Sequence, residues 1–192
     1  TTPFSSPSSG REPQMDEISE TIRKNKEISE KFYAIEKSLT AFTDPGDLFE
    51  KLIPRLREEF AIPFVWISII RRPETARLIR SLESSALLKD HVNLIDEAAF
   101  LGLVTGAKPV LANRDLRPFY RLFPKNKKYF IKSIAVVPIS LNGRIIGSIN
   151  HGDAAHTRYE PDLDTSLLER LAGSLSSRLS TLMPPDPTSA DR

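Results

Sequence analysis

Between residues 114 and 132 the chain carries Arg114, Arg117, Arg121, Lys125, Lys127, Lys128 and Lys132 against a single acid, Asp115, in a protein whose formal net charge is only +2. Guanidinium and ammonium groups at that density attract phosphate, carboxylate or an acidic surface. Aromatic rings alternate with them at Phe119, Tyr120, Phe123, Tyr129 and Phe130. The sharper reading is that Arg114, Arg117 or Arg121 contacts a small anion such as a nucleotide or a carboxylate. Contact with nucleic acid or an acidic protein is an alternative, and a simple solvated loop explains the same run.

Other reactive groups are sparse. His91, His151 and His156 lack the spacing of a helical zinc motif, and the last two are expected in the loop after the final strand. His91 is weighed as a haem ligand against an exposed or hydrogen-bonded histidine, and the second reading is favoured. There is no glycine-rich phosphate loop followed by lysine and no nucleophile elbow around a serine. Cysteine is absent, which excludes disulfides, thiolate metal sites and cysteine catalysis. No catalytic residue, metal ligand or cofactor is therefore nominated.

These residues need a frame, and 192 residues with 40% apolar and 27% charged content suit one globular domain with appendages. No apolar run approaches the roughly 18 residues of a spanning helix, and the first residues have no apolar centre, so no membrane association and a cytoplasmic location are expected. Residues 1–15 and 184–192, rich in Ser, Pro and Gly or poor in buriable side chains, are expected to be disordered tails.

The strongest local signal is Asn142-Gly143 between apolar runs in residues 133–153, which predicts a two-residue hairpin turn. Pro161 is expected to open a helix whose face is Leu163, Leu167, Leu168, Leu171, Leu175 and Leu179. Residues 16–43 read as a helix with Ile18, Thr21, Asn25, Ile28, Phe32, Ile35, Leu39 and Phe42 in heptad register. That seam suits either a coiled coil between two subunits or packing on its own domain. A second helix is expected from Asp47 to Phe60, kinked or split at Pro54. Phe64 to Ile70 reads as a buried strand and Ala76 to Glu83 as its neighbour across a turn at Arg71 to Pro73. A short helix capped by Asn93 is expected to stop at Gly106.

The hairpin and its surroundings resemble a GAF domain over residues 44–183. The residues that carry the likeness are Ser133 to Ile139, Asn142-Gly143, Ile146-Gly147 to Ile149, the helix that follows, and Thr105 to Leu111 with Asn113 to Asp115. Phe60 to Trp66, and Gly152 to Tyr159 followed by Pro161, Asp164, Leu167 and Leu168, are similar to a bacterial GAF-like group of unknown function with a long leading helix. The resemblance implies an α+β sandwich. In it a central antiparallel sheet of five to six strands has helices on both faces, and the long amino-terminal helix precedes it.

It further implies a pocket between the sheet and a cover made by about Leu82 to Ile131. Most aromatics there are expected to be core. The candidate ligand-binding residues are Trp66, Ser68, Phe100, Arg114, Arg117, Tyr120, Arg121, Tyr129, Ser148 and Asn150. Asn126, Lys127 and Phe130 are similar to the start of the cyclic-nucleotide signature of such domains, but Ile134 and Ala135 stand where its acidic pair would be. Attachment of a bilin, and the cysteine-dependent methionine sulfoxide reductase of this fold, both require a thiol this chain lacks.

The expected function is a non-catalytic sensory domain. An unidentified small molecule, anionic in the sharper reading, fills the pocket, and occupancy changes a homodimer held by the amino-terminal and carboxy-terminal helices. The alternative is a ligand-free module that binds protein or, less favoured, nucleic acid through residues 114–132.

Overall fold

A computed structural model describes residues 12 to 124 and 127 to 187. Its elements are α1 (Glu12–Ser38), α2 (Pro45–Glu59), β1 (Phe64–Ile70), α3 (Ala76–Ser84), β2 (Val92–Ile95), α4 (Glu97–Leu101), β3 (Val110–Ala112), β4 (Ser133–Leu141), β5 (Arg144–Asp153) and α5 (Ser166–Leu182). The five strands form one sheet in the order β2-β1-β5-β4-β3. The α+β class and the helices on both faces are as expected. Residues 1–11 and 188–192, most of the expected tails, lie outside the described residues, as do Lys125 and Asn126 of the basic segment.

The hairpin holds the centre. Asn142 and Gly143 have φ of 50° and 82°, as a two-residue turn between twisted strands requires, and β4 pairs with β5 from Ser133–Asp153 to Leu141–Arg144. The ladder slips between Ile139 and Ser140, opposite Gly147. At Gly147 a Cβ would stand 1.9 Å from the Ser68 carbonyl oxygen on β1, so only glycine lets these strands meet. The tip rests on α5. Ser140 N–H donates to Ser176 Oγ and Asn142 N–H to Ser180 Oγ, each at 2.9 Å, while Asn142 Nδ2 donates to the Met183 carbonyl at 3.2 Å.

Five sequence expectations are corrected. Ala76–Ser84 is a helix, not a strand: Leu78 and Leu82, four apart, bury on one side while Arg77 and Arg80 stay exposed. Because α3 returns the chain across the sheet, β2 runs parallel to β1, and one of the sheet's pairings is therefore not antiparallel. Asn93 lies inside β2, and the short helix after it follows Asp96, whose side chain makes no capping hydrogen bond, and ends at Leu101. Pro54 does not split α2, which runs unbroken from its cap at Asp44, whose carboxylate accepts from Gly46 N–H at 2.8 Å. Finally, α5 starts at Ser166, so Pro161 belongs to the loop before it.

The sheet separates two cores. On one face α1, α2, α3 and α5 bury Ile35, Leu39, Leu48, Phe49, Leu56, Leu78, Leu175 and Leu179 against Val65, Ile67, Val137 and Ile149. On the other, Trp66, Ile70, Ile134 and Val136 pack under a cover of Phe100, Val104, Leu116, Leu122, Phe123 and Ile131. Only the carboxy-terminal half of α1 takes part. Phe32, Ile35 and Leu39 are buried, whereas Ile18, Thr21, Asn25 and Ile28 of the same heptad seam are exposed, together with Met15 and Ile22.

Candidate functional site

On the cover side, residues of even number on β1, and on β5 from Ser148 onward, point away from the helices. Trp66 donates its indole N–H to the Leu122 carbonyl and meets Phe123 edge-on at a centroid distance of 5.8 Å, which ties cover to sheet. Beside it Asn150 Nδ2 donates to Ser68 Oγ at 2.9 Å and Ser148 Oγ donates to Asn150 Oδ1 at 2.8 Å. All three are completely buried, and this short polar chain crosses the register pair Ser68–Ser148. Phe100 is also fully buried. These five candidates thus form closed packing in which the polar groups satisfy one another.

The other candidates converge outside that core. A cleft of about 710 Å³ opens between the cover and the loop after β5, and Arg114, Arg117, Tyr120 and Tyr129 all line it. Lys128 and Lys132 join them, with Asp115, His156 and Glu160. Arg121 is exposed but is not among the lining residues; its carbonyl instead accepts from Asn93 Nδ2 at 2.8 Å.

Local geometry explains the convergence. The segment leaves β3 through Asn113, whose Nδ2 donates to the His156 carbonyl at 3.0 Å. Ser133 Oγ at the start of β4 donates to the Ala155 carbonyl at 2.7 Å, so the loop after β5 is held beside both ends of the basic segment. Asp115 adopts a left-handed φ of 45°, a conformation aspartate tolerates better than most residues. Arg117 then reaches back to its carboxylate, Nε to Oδ1 at 2.7 Å, and this guanidinium hydrogen bond holds the Asp115 carboxyl below its ordinary pKa.

The remaining positive charge is left open. Lys128 Nζ stands 5.7 Å from the Tyr120 ring centroid and 5.1 Å from that of Tyr129, held by two π faces rather than by a carboxylate. Among the described residues Arg114 and Lys132 make no ion pair. With Arg117 offset by Asp115, the cleft presents three cations and two phenol rings against the carboxylate of Glu160. Such a surface suits a singly or doubly charged anion with a planar part.

Sequence reasoning named the basic run but did not select Lys128 and Lys132, and it missed the far wall at His156 and Glu160. The contacts that bring that wall in, from Asn113 and Ser133, span 43 and 22 residues of sequence and leave no local signal. The histidines also differ from expectation. His151 is not in a loop but within β5, entirely buried, while His91 Nδ1 lies 3.1 Å from the Val65 carbonyl.

The sheet order, the helical layer and the cover define a protein of GAF-like fold, preceded by a long leading helix. The chain belongs to the family described as "Protein of unknown function, DUF484", whose model matches residues 8–182. Among solved structures it is similar to the free methionine-R-sulfoxide reductase from Neisseria meningitidis in complex with its substrate. The identity is 17% and the TM-score 0.54, over 79% of this chain and 87% of that one. A likeness at that identity concerns the fold alone. No curated protein matches the chain. Among the described residues no helix is long and apolar enough to cross a membrane.

Proposed function

We propose that this protein is a non-catalytic regulatory domain of GAF-like fold, working in the cytoplasm. It takes an anionic small molecule, a nucleotide or a carboxylate, in the cleft of Arg114, Lys128 and Lys132. The observation that carries this reading is the convergence of unpaired cations from one segment on a single cleft beside Tyr120 and Tyr129. No cofactor is needed. Tyr120 of the cleft packs on Phe123 at 5.4 Å between ring centroids and Phe123 packs on Trp66, so an occupant that pulls on Tyr120 changes packing against the sheet. Native mass spectrometry of freshly purified protein, followed by calorimetry with AMP and with citrate, tests this. The wild type is expected to carry or bind one of these anions, and Arg114→Ala/Lys128→Ala/Lys132→Ala is expected to weaken binding at least about tenfold. An anion-free wild type that binds neither probe, or an unchanged affinity in the variant, sinks the reading.

A second reading rests on its own observation. Tyr129 and Phe130 are 72% and 59% exposed beside Lys127, Lys128 and Lys132, which makes a basic surface with open aromatic faces. Such a surface binds single-stranded nucleic acid or an acidic protein segment, with steep salt dependence. Loss of oligonucleotide binding between low and high salt, with no response to AMP or citrate, would favour it over the anion sensor.

A further inference from the structure

On the helical face of the sheet, opposite the basic cleft, α1 stands off from the loop that precedes α5 and leaves a chamber of about 530 Å³. That is the size of a site for a small organic molecule. Its walls are apolar, with Phe32 of α1 and Phe60 stacked at 4.4 Å between ring centroids and Ile62 and Leu167 around them. His151 and Tyr159 also line it, their rings 6.1 Å apart.

Those two residues are the anomaly. His151 Nε2 and Tyr159 Oη are buried from water and neither makes a hydrogen bond of good geometry, although the Arg158 guanidinium stands close to the phenol. Leaving such an atom unpaired costs about 1–3 kcal/mol, and two at one chamber make a place where a ligand gains more than apolar contact. We propose that this chamber is a binding site for an uncharged, mainly apolar small molecule carrying one hydroxyl or carbonyl group, which hydrogen-bonds to His151 or Tyr159.

The surroundings select against charge. Arg158 is the one cation lining the chamber, and its guanidinium is already committed to the Phe60 and Ala61 carbonyls and, at 3.4 Å, to the Asp153 carboxylate. Asp164 at the rim repels anions. Burial keeps both the imidazole and the phenol in their neutral forms at neutral pH. Because α1 forms one wall and α5 another, an occupant bears on both helices at once. The site is independent of the basic cleft and stands or falls apart from it.

The test titrates 1-naphthol and naphthalene into the full chain, following fluorescence and the NMR signals of His151 and Tyr159. Naphthalene is the more apolar probe, so an unspecific surface takes it in preference. The expected result is saturable binding of 1-naphthol about tenfold tighter than naphthalene, with both residues shifting. Tyr159→Phe, which deletes one unpaired oxygen, is expected to erase most of that preference. Ser29→Trp, which projects an indole into the mouth from an exposed position of α1, is expected to abolish uptake of both probes. Arg114→Ala is expected to change nothing. Equal affinity for the two probes, no saturable binding, or naphthol uptake indifferent to Ser29→Trp overturns the proposal. So does a Ser29→Trp variant that changes oligomer mass while binding naphthol normally, because a second copy of the chain then covers the chamber.

Discussion

His151 shows how much one residue depends on the side of a strand it occupies. From sequence it reads as the beginning of a loop, yet it pairs with Val65 and Ala135 inside the sheet and is wholly buried. Burial first, and the charge of nearby Arg158 second, push its pKa down to about 4 from an ordinary 6.5. Asp153 and Tyr159 are the other titratable groups close to Arg158, and neither reverses that direction. The folded pKa is the lower one, so as pH falls the unfolded chain takes up the proton first. Stability is thus retained above about pH 6.5 and lost between about 6.5 and 4, by roughly 3 kcal/mol at the limit. Urea unfolding at pH 7 and pH 4.5 is expected to show this loss, and His151→Leu to remove most of it; an equal loss in the variant would mean that other groups control the acid limb. Ser68, Ser148 and Asn150 carry a related lesson. Their chemistry was visible, but their use was not, because a strand's facing decides whether a hydroxyl meets a ligand or another side chain.

At the scale of elements, what was legible had a local cause. Asn142-Gly143 dictates its turn by backbone conformation alone, and the apolar strands beside it follow. The α3 segment was misread because Ala76 to Glu83 is short and holds only two fully buried leucines, so its helical spacing competes with an alternating pattern over a few residues. The ionic cluster at the end of β1 was not legible at all. Arg72, whose side chain is 6% exposed, donates to the Ile145 carbonyl at 2.8 Å and pairs with Glu97, while Arg144 bonds Glu74 at 2.6 Å. This ties β1, β5 and α4 together from points up to 73 residues apart. Arg72→Ala is expected to destabilise by about 2 kcal/mol, less than a fully enclosed pair because both carboxylates are partly exposed. Denaturation of the variant with Arg144→Ala as comparison tests it; equal, small effects of both would show the cluster to be surface decoration.

For the molecule as a whole, the fold was readable because each core needs only apolar residues at the right period, whereas the cleft needs charges that converge from separate segments. The long helix sits between these cases. Its heptad seam continues from one end to the other in sequence, but the domain uses only Phe32, Ile35, Leu39 and Phe42 from it, and at the far end Ile18 and the neighbouring Ile22 are left 56% and 63% exposed. Exposed apolar residues along a helix are what a coiled-coil partner covers, and a second copy of the chain would offer the matching stripe. We expect a dimer in solution, and Ile18→Glu/Ile22→Glu to convert it to a monomer whose circular dichroism and thermal midpoint are little changed, since neither residue reaches the core. Sedimentation equilibrium decides it: a wild-type monomer, or a variant that stays dimeric, removes this surface from the assembly.

The seat of the hairpin tip on α5 has one more consequence. The contacts from Ser140 and Asn142 to Ser176, Ser180 and Met183 follow the helix for two turns, each aimed at a particular atom. A shift of α5 along its axis by one residue, about 1.5 Å, would take every one of them out of register together. The helical layer is therefore latched against sliding like a piston. At the opposite end, where α5 begins beside α1, the tie is instead a side-chain pair, Arg170 with Glu36 at 3.0 Å.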